Sequence, residues 1–542
     1  MTADLVLCGG RVITLTASSP VVEAVAVSAG RIVAAGSSQE IKEYIGPQTE
    51  VINTQGMTVV PGLCDTHLHL LGLGFALHQV DLSGIRSVEE LRQRVAAYIA
   101  ANNIPPGRWI EGSGWDQNTL AEGRFPTKED LDGVADENPV LLSRVCHHVA
   151  LVNRRGLEAL GLAPDTPDQE GGRFGRRENG ELSGLLYEFG AIKMARGAIP
   201  APSAAELEAA LELAVKHASA AGLTEVHSDD LGYSGGFERA VGAYTALAAK
   251  GRLPLRVHLE LLTRSLGELK QVIGEAQAWQ PPSHLIQLGP IKILLDGSLG
   301  ARTAALDAPY ADAPGETGEL NICAEELREM VHRAHSAGFQ LAIHAIGDRA
   351  ARLALDAIEE AQARAPRQDA RHRLVHCQIM NPALWARMSA LGVAGDVQPR
   401  FVASDWPMVP RRLGPERAQV SYAWRSMLVQ GVRLSAGSDC PVEPLDPLLG
   451  LHAAITRTNL AGEPVGGWLP NEKLSPEQAL SLFALGAAYV AHAEAERGSI
   501  APGKLADFTV FAGDYLTAPI ETTQANDVRL VVSAGRVVYS RF

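Results

Sequence analysis

Two periodicities alternate along the chain. Short apolar runs of the kind that form strands buried on both faces occur at 59–67, 223–227, 255–261, 290–295, 341–345, 373–377, 393–398 and 433–438. Most are separated by stretches in which apolar residues recur every three or four positions, the period of an amphipathic helix. Ala204 to Ala221 carries such a stripe, with Glu206, Glu208 and Glu212 on the other face. Residues 324–337, 350–364 and 475–490 behave alike, and Ser475-Pro476-Glu477 supplies an N-cap followed by proline at the first helical position. Eight strands with helical crossovers predict an α/β protein built as a (β/α)8 TIM barrel. An open doubly wound sheet is the alternative the pattern leaves.

Both ends of the chain read differently. Strand-like pieces occur at 4–15, 50–60 and 507–512, and residues 22–36 and 528–539 share Ser-Ala-Gly-Arg flanked by β-branched residues. That is a strand, tight turn, strand pattern. The match is either a coincidence of a common turn or the mark of one small β-sandwich domain assembled from both ends. Residues 75–200 fit neither rhythm. They are rich in Gly and Pro and carry Trp-Ile-Glu-Gly-Ser-Gly-Trp-Asp (109–116) and a Cys-His-His ending at His148. The expected organisation is 1–58 and 497–542 as the β-sandwich, 59–74 and 201–496 as the barrel, and 75–200 as an insertion. Following the first barrel strand, that insertion is expected to cover the strand's C-terminal end, where barrel enzymes keep their sites.

Composition narrows the partners. With 542 residues the chain exceeds the ~250–300 at which a single core stops growing. Basic residues number 48 and acidic residues 62, a balance of −14 that argues against nucleic acid and anionic membrane surfaces as partners. No run reaches the ~18 uncharged apolar residues of a membrane span. The first residues, Met-Thr-Ala-Asp-Leu-Val-Leu, lack the basic and apolar regions of a secretory signal. Cysteines at 8, 64, 146, 323, 377 and 440 form no CxxC pair. A cytoplasmic protein acting on a small molecule is the expectation. Gly171-Gly172 belongs to no nucleotide-binding fingerprint.

Candidate chemistry begins at Pro61-Gly-Leu-Cys-Asp-Thr-His-Leu-His69, where strand alternation puts His67 and His69 on one face and Cys64 on the other. Two imidazoles at a strand end can grip one metal ion, although His-x-His alone is weak evidence. Later strands end in similar fashion: Lys292 lies in the apolar run Ile291 to Leu295, His344 ends one strand, His376 another, and Asp439 closes Leu434-Ser-Ala-Gly-Ser-Asp. An unpaired ammonium on a buried strand is costly, so Lys292 calls for a reason. Taken singly, His344 and His376 read equally as core or cap residues and Asp439 as a turn former. Cys377 and Cys440 follow His376 and Asp439 directly and would face away.

The order Pro-Gly-x-x-Asp-x-His-x-His, Lys, His, His, Asp resembles the amidohydrolase superfamily of metal-dependent hydrolases. Lys292 to Ala304 (Lys-Ile-Leu-Leu-Asp-Gly-Ser-Leu-Gly-Ala-Arg-Thr-Ala), His344-Ala-Ile-Gly-Asp-Arg and Ser438-Asp-Cys-Pro-Val are similar to the branch of N-substituted formamide deformylases and YtcJ-like proteins, amidohydrolase family 3. The likeness spans essentially the whole chain and is not specific for substrate. It implies two Zn2+ ions, with Mn2+ or another divalent metal as the alternative occupant. His67, His69 and Asp439 would hold one ion, His344 and His376 the other, and a carboxylated Lys292 would bridge them; Glu188 is the competing carboxylate. It implies further that a metal-activated water attacks a non-peptide amide bond and that Asp439 handles its proton. Candidate substrate contacts are Trp115, Asp116, His148, Glu188, His227, Asp296 and Arg302, with a core role as the alternative for Trp115 and His227 and a turn role for Asp296. Competing activities are cyclic-amide hydrolysis, deamination and, with the metals lost, a non-catalytic scaffold. Deaminase relatives follow the fifth-strand His with His-x-x-Glu, whereas position 347 here is Gly. The resemblance further suggests a homodimer.

Overall fold

The computed structural model describes residues 2–145, 148–169, 171–513 and 527–542; Cys146 lies outside them. Its largest element is a sheet of eight strands: β1 (Leu63–Leu68), β2 (Leu223–Ser228), β3 (Arg256–Thr263), β4 (Ile286–Leu294), β5 (Leu341–Ala345), β6 (Arg373–His376), β7 (Ala394–Val397) and β8 (Leu434–Ala436). They lie side by side in chain order, and every paired neighbour is parallel. The eighth strand returns to the first: Asp439 N–H donates to His67 O at 2.8 Å and His69 N–H to Cys440 O at 2.8 Å, just beyond the two strands. A sheet ordered this way has no point where strand order reverses, so it is the TIM barrel and not the doubly wound alternative.

Helices follow the predicted stripes. Ala204–Ala220, Ala324–Ser336 and Asp348–Arg364 bury their apolar faces. The helix expected over 475–490 starts with a capping box on Ser475 but is broken into Pro476–Ser481, a π-helical turn Leu482–Gly486 and Ala487–Val490. The close approach of Gly486 to β8 coincides with that break: a Cβ there would stand 2.0 Å from Leu434 O. The wider turn seats the helix on the strand backbone.

A second sheet joins both ends of the chain. Its order is Arg536–Ser540, Val528–Ser533, Phe508–Phe511, Thr58–Pro61, Leu5–Ile13, Val21–Ser28 and Arg31–Gly36, with Glu50–Asn53 also paired to Leu5–Ile13. Leu7, Val25, Val27, Val59, Phe508, Val510 and Val532 share one buried core. The repeated Ser-Ala-Gly-Arg segments have a structural counterpart. Ala29 and Gly30 (φ 49° and 76°) and Ala534 and Gly535 (φ 47° and 77°) form like turns with left-handed residues at both central positions. The two turns touch, since a Cβ on Gly30 would meet Ala534 O at 2.8 Å and one on Gly535 would meet Gly30 Cα at 2.8 Å. This sheet runs straight into the barrel: strand Thr58–Pro61 leads through Gly62 into β1, and Gly62 N–H donates to Asp507 O.

The chain separates into two compact units, residues Met1–Gly74 with Ala204–Phe542, and Phe75–Ser203. The second unit has its own six-stranded sheet and the helix Val88–Asn102, whose Val88, Leu91 and Val95 pack with Ile110, Trp115, Val140 and Leu142. No helix among the described residues is long and apolar enough to cross a membrane.

Candidate metal centre

Parallel strands present their C-terminal ends together, and that geometry gathers the candidate ligands. His67 Nε2 and His69 Nε2 lie 3.4 and 3.2 Å from the same oxygen, Oδ1 of Asp439. Donor atoms of His67, His376 and Asp439 all fall within 4.8 Å of one another. The His344 ring centroid is 4.3 Å from that of His376, and Lys292 Nζ is 3.0 Å from His67 Nε2. The chain leaves β6 and β8 through left-handed residues, His376 at φ 80° and Asp439 at φ 60°. Non-glycine residues adopt that region at a cost of roughly 1–2 kcal/mol, and the Asp439 N–H bond to His67 O holds one of them there.

Each ring is oriented from behind. His67 Nδ1–H faces Glu260 Oε2 at 3.1 Å, His69 Nδ1–H faces Asp229 O at 2.8 Å, and His376 Nδ1–H faces Gln398 Oε1 at 2.7 Å. These partners leave Nε2 of all three rings as the lone-pair side. His344 is reversed: its Nε2 is 3.1 Å from Gly297 O, so Nδ1 is its free nitrogen. Below the ligands, Glu260 is fully buried, with Lys292 Nζ at 3.6 Å and Arg373 Nη2 at 3.3 Å. Arg373 in turn reaches Asp396 at 2.9 Å.

The electrostatics suit a cation. Burial, together with neighbouring imidazoles and Lys292, pushes His344 down to about 4 and His376 well below the usual range, so both keep their lone pairs. Burial works against ionised Asp439, but the hydrogen bond to His69 and the surrounding imidazoles hold its carboxyl well below the usual carboxylate range. Burial opposes charge on His69 as well, yet Asp439 and Asp229 raise it to about 9, so without metal Nε2 carries a proton toward Asp439 that a bound cation would displace. Four imidazoles, a carboxylate and a lysine converging without apolar separation form a donor set that fits divalent metal.

The four imidazoles and Asp439 line a cavity of about 440 Å³ whose wall continues through Asp229, Tyr233, Leu262, Arg264, Leu294 and Val442. Asp229 is 3% exposed and its Oδ1 meets no donor among the described residues. The Tyr233 ring sits 5.5 Å from His69, and burial pushes its hydroxyl up to about 12, so it is a donor at neutral pH. Glu260, Asp229, Tyr233 and Arg264 are absent from the candidates read in the sequence. A signal existed for Glu260, a carboxylate inside the apolar run 255–261.

Other candidates have different places. Trp115 is fully buried in the second unit and donates Nε1–H to Leu142 O at 2.9 Å, which makes it a core residue and not a substrate contact. Asp116 pairs with Arg144 at 2.8 Å, and exposed His148 and Glu188 pair with each other at 2.9 Å, all within that unit. His227 does not reach the metal-ligand cavity; it stacks on His258 at 4.5 Å with Arg373 and Glu225 on its nitrogens. Asp296 is 2% exposed, below the mouth it was expected to line, because its carboxylate accepts the N–H groups of Ala305, Ile346 and Gly347. Arg302 is held in a two-pronged pair by Asp312 at 3.1 and 3.0 Å. Gly347 has a steric reason: a Cβ there would stand 1.9 Å from Ala305 O. A side chain at that position has no room.

A second group with ligating atoms, Cys64, Glu225 and His227, lies inside the barrel. Glu225 already faces the guanidiniums of Arg256 and Arg497, with His258 at 3.2 Å, and a cation would be repelled there.

The chain resembles known proteins over most of its length. The sequence profile described as "Amidohydrolase family" matches residues 50–539. YtcJ of Bacillus subtilis is 36% identical over 535 residues, covering 98% of this chain and 99% of its own. N-substituted formamide deformylase of Arthrobacter pascens is 29% identical over 518 residues, covering 94% of each chain. The crystal structure of a metal-dependent hydrolase from Pyrococcus furiosus is similar at a TM-score of 0.77 with 32% identity, covering 96% of this chain and 100% of that one.

Proposed function

The chain belongs to the amidohydrolase family, and from that premise we propose that it hydrolyses a non-peptide carbon–nitrogen bond of a small-molecule amide, an N-substituted formamide being the leading case. The observation that carries this reading is the convergence of His67, His69, His344, His376 and Asp439 on one cavity, with the buried Lys292 Nζ 3.0 Å behind His67 Nε2. His67, His69 and Asp439 would hold one zinc ion, His344 and His376 a second, and Lys292, carboxylated on its amine, would contact both. When bound, the metal supplies an activated water and polarises the substrate carbonyl.

The chain's own groups do the rest. Asp439 Oδ1, ionised and beside two imidazoles, accepts a proton and returns it to the leaving nitrogen. Tyr233 O–H and the Arg264 guanidinium donate to the substrate from the cavity wall, and the free Asp229 Oδ1 receives an amide N–H. Leu262, Leu294 and Val442 offer an apolar surface to the substituent. Deamination is the weaker reading, because the acid it would need at position 347 collides with Ala305 O. The setting we propose is cytoplasmic.

The test is metal analysis of the purified protein followed by a panel of N-formyl, N-acyl and cyclic amides, with Zn2+ or Mn2+ supplied. Turnover that chelation removes and metal restores is expected. A protein that binds no divalent metal, with properties untouched by chelators, would refute the reading.

A further inference from the structure

A second cavity, of about 260 Å³, opens at the other end of the barrel. Its walls come from residues that begin β4 and β6 or precede β5 and β6, together with His227 and His258 from inside β2 and β3. Two arginines (Arg367, Arg373), three histidines (His227, His258, His492) and two glutamines (Gln287, Gln340) line it. Among the described residues no aspartate or glutamate does. The wall itself thus carries cations, while the carboxylates of Glu225, Glu260 and Asp396 stand behind it against His227, His258 and Arg373.

One guanidinium has an unmet donor and the other has no carboxylate partner among the described residues. Arg373 has no exposed surface. Its Nη1 and Nη2 are taken by Asp396 at 2.9 Å, His227 Nδ1 at 3.2 Å, Thr66 O at 3.3 Å and Glu260 at 3.3 Å, while its buried Nε meets no acceptor. Arg367 donates to the carbonyls of His335, Phe339 and Gly338 at 2.7–2.9 Å, which cap a helix end but carry no countercharge. A buried donor without a partner is an exception that calls for an acceptor. A cavity this size holds several waters at ~30 Å³ each, so a small polyatomic anion fits.

We propose that this cavity binds a small oxyanion, of the phosphate, sulfate or bicarbonate kind, between the Arg367 guanidinium and the free Nε edge of Arg373. Several oxygens on one centre match the fork of a guanidinium while reaching the second one, a geometry that a spherical chloride fits less well. The carboxylates Asp396 and Glu260 hold Nη1 and Nη2 of Arg373, so Nε is the donor of this guanidinium left for the anion. The site stands apart from the metal ligands and does not depend on the proposed hydrolysis.

Calorimetric titration of the full chain with inorganic phosphate, sulfate and bicarbonate, each against chloride at matched ionic strength, tests this. One-to-one binding of at least one oxyanion is expected, and the three arms tell which. Gln287→Glu places a carboxylate on the exposed rim and should weaken that binding at least ~10-fold, equivalent to ~1.4 kcal/mol. Arg367→Gln should do the same, and because Gln287 is exposed and Glu nearly isosteric, the rim variant decides even if loss of Arg367 unfolds the protein. Equal responses to chloride and oxyanions, or undiminished binding by Gln287→Glu, would overturn the proposal.

Discussion

Replacing Glu260 by Gln removes one negative charge from the centre of the barrel while keeping the side chain's size. In the wild-type chain that carboxylate faces Lys292 Nζ at 3.6 Å and Arg373 Nη2 at 3.3 Å, and orients His67 through Nδ1 at 3.1 Å. At an effective dielectric of about 20, each of the two cation contacts is worth ~5 kcal/mol of attraction before desolvation is subtracted. Breaking a buried pair from one side costs a net ~3–5 kcal/mol. The amide oxygen can serve His67 or Arg373 but not both, and its NH2 group confronts a donor. The variant should therefore lose ~3–5 kcal/mol in urea unfolding of the metal-free protein. Loosening the His67 ring should weaken metal binding by ~10–100-fold, read by competition with a chromophoric chelator. Glu260→Asp keeps the charge and should recover part of both losses. An unchanged unfolding midpoint together with unchanged metal affinity in Glu260→Gln would refute the reasoning.

Four further outcomes follow from the geometry. Asp439→Ala should abolish turnover with the circular dichroism spectrum unchanged, because the residue lies in the cavity wall and not in the packing core. Lys292→Ala should lose activity that bicarbonate with a short carboxylic acid partly restores; wild-type turnover without additives would remove the lysine from the reaction. Gly437→Ala would press a Cβ to 2.6 Å from the His67 backbone nitrogen, so it should cost ~1–3 kcal/mol in thermal unfolding and loosen metal binding. Burial raises the Asp405 carboxyl to about 6, above the ~3.9 of an unfolded chain. The folded state thus binds the extra proton, and this stability is present below pH ~3.9 and lost as pH rises through 6, by up to ~3 kcal/mol. Asp405→Asn, which still accepts the Tyr422 hydroxyl, should flatten that slope in a series of melting temperatures.

The barrel was legible because strands buried on both faces leave unbroken apolar runs, and each run predicted in the sequence overlaps an observed strand. The ligand residues stood out for the same reason: a polar side chain at the end of such a run is conspicuous. What escaped was set by partners far away in sequence. Asp296 reads in the sequence as a mouth residue, but loop amides from 305, 346 and 347 bind its carboxylate and hold it below. His227 shares strand ends with the ligands but is drawn inward by Arg373 and Glu225. Asp229 and Arg264 lie just past β2 and β3, in turns whose direction no periodicity encodes. The π-helical turn at Leu482–Gly486 was invisible because the cause, contact with β8, is tertiary.

The sheet made from both chain ends also has a consequence for the order of synthesis. Strand Thr58–Pro61 continues into β1 and the first two histidines, and one of its neighbours is Phe508–Phe511. Asp507, beside that neighbour, grips Gly62 and Arg256. On the ribosome, His67 and His69 emerge some 440 residues before the strand that pins their own strand in place. The strand that leads into β1 therefore waits, unpaired on that edge, until residues 508–511 have been made. A nascent chain stopped short of residue 508 would carry every candidate ligand and still lack the clamp that holds the first of them.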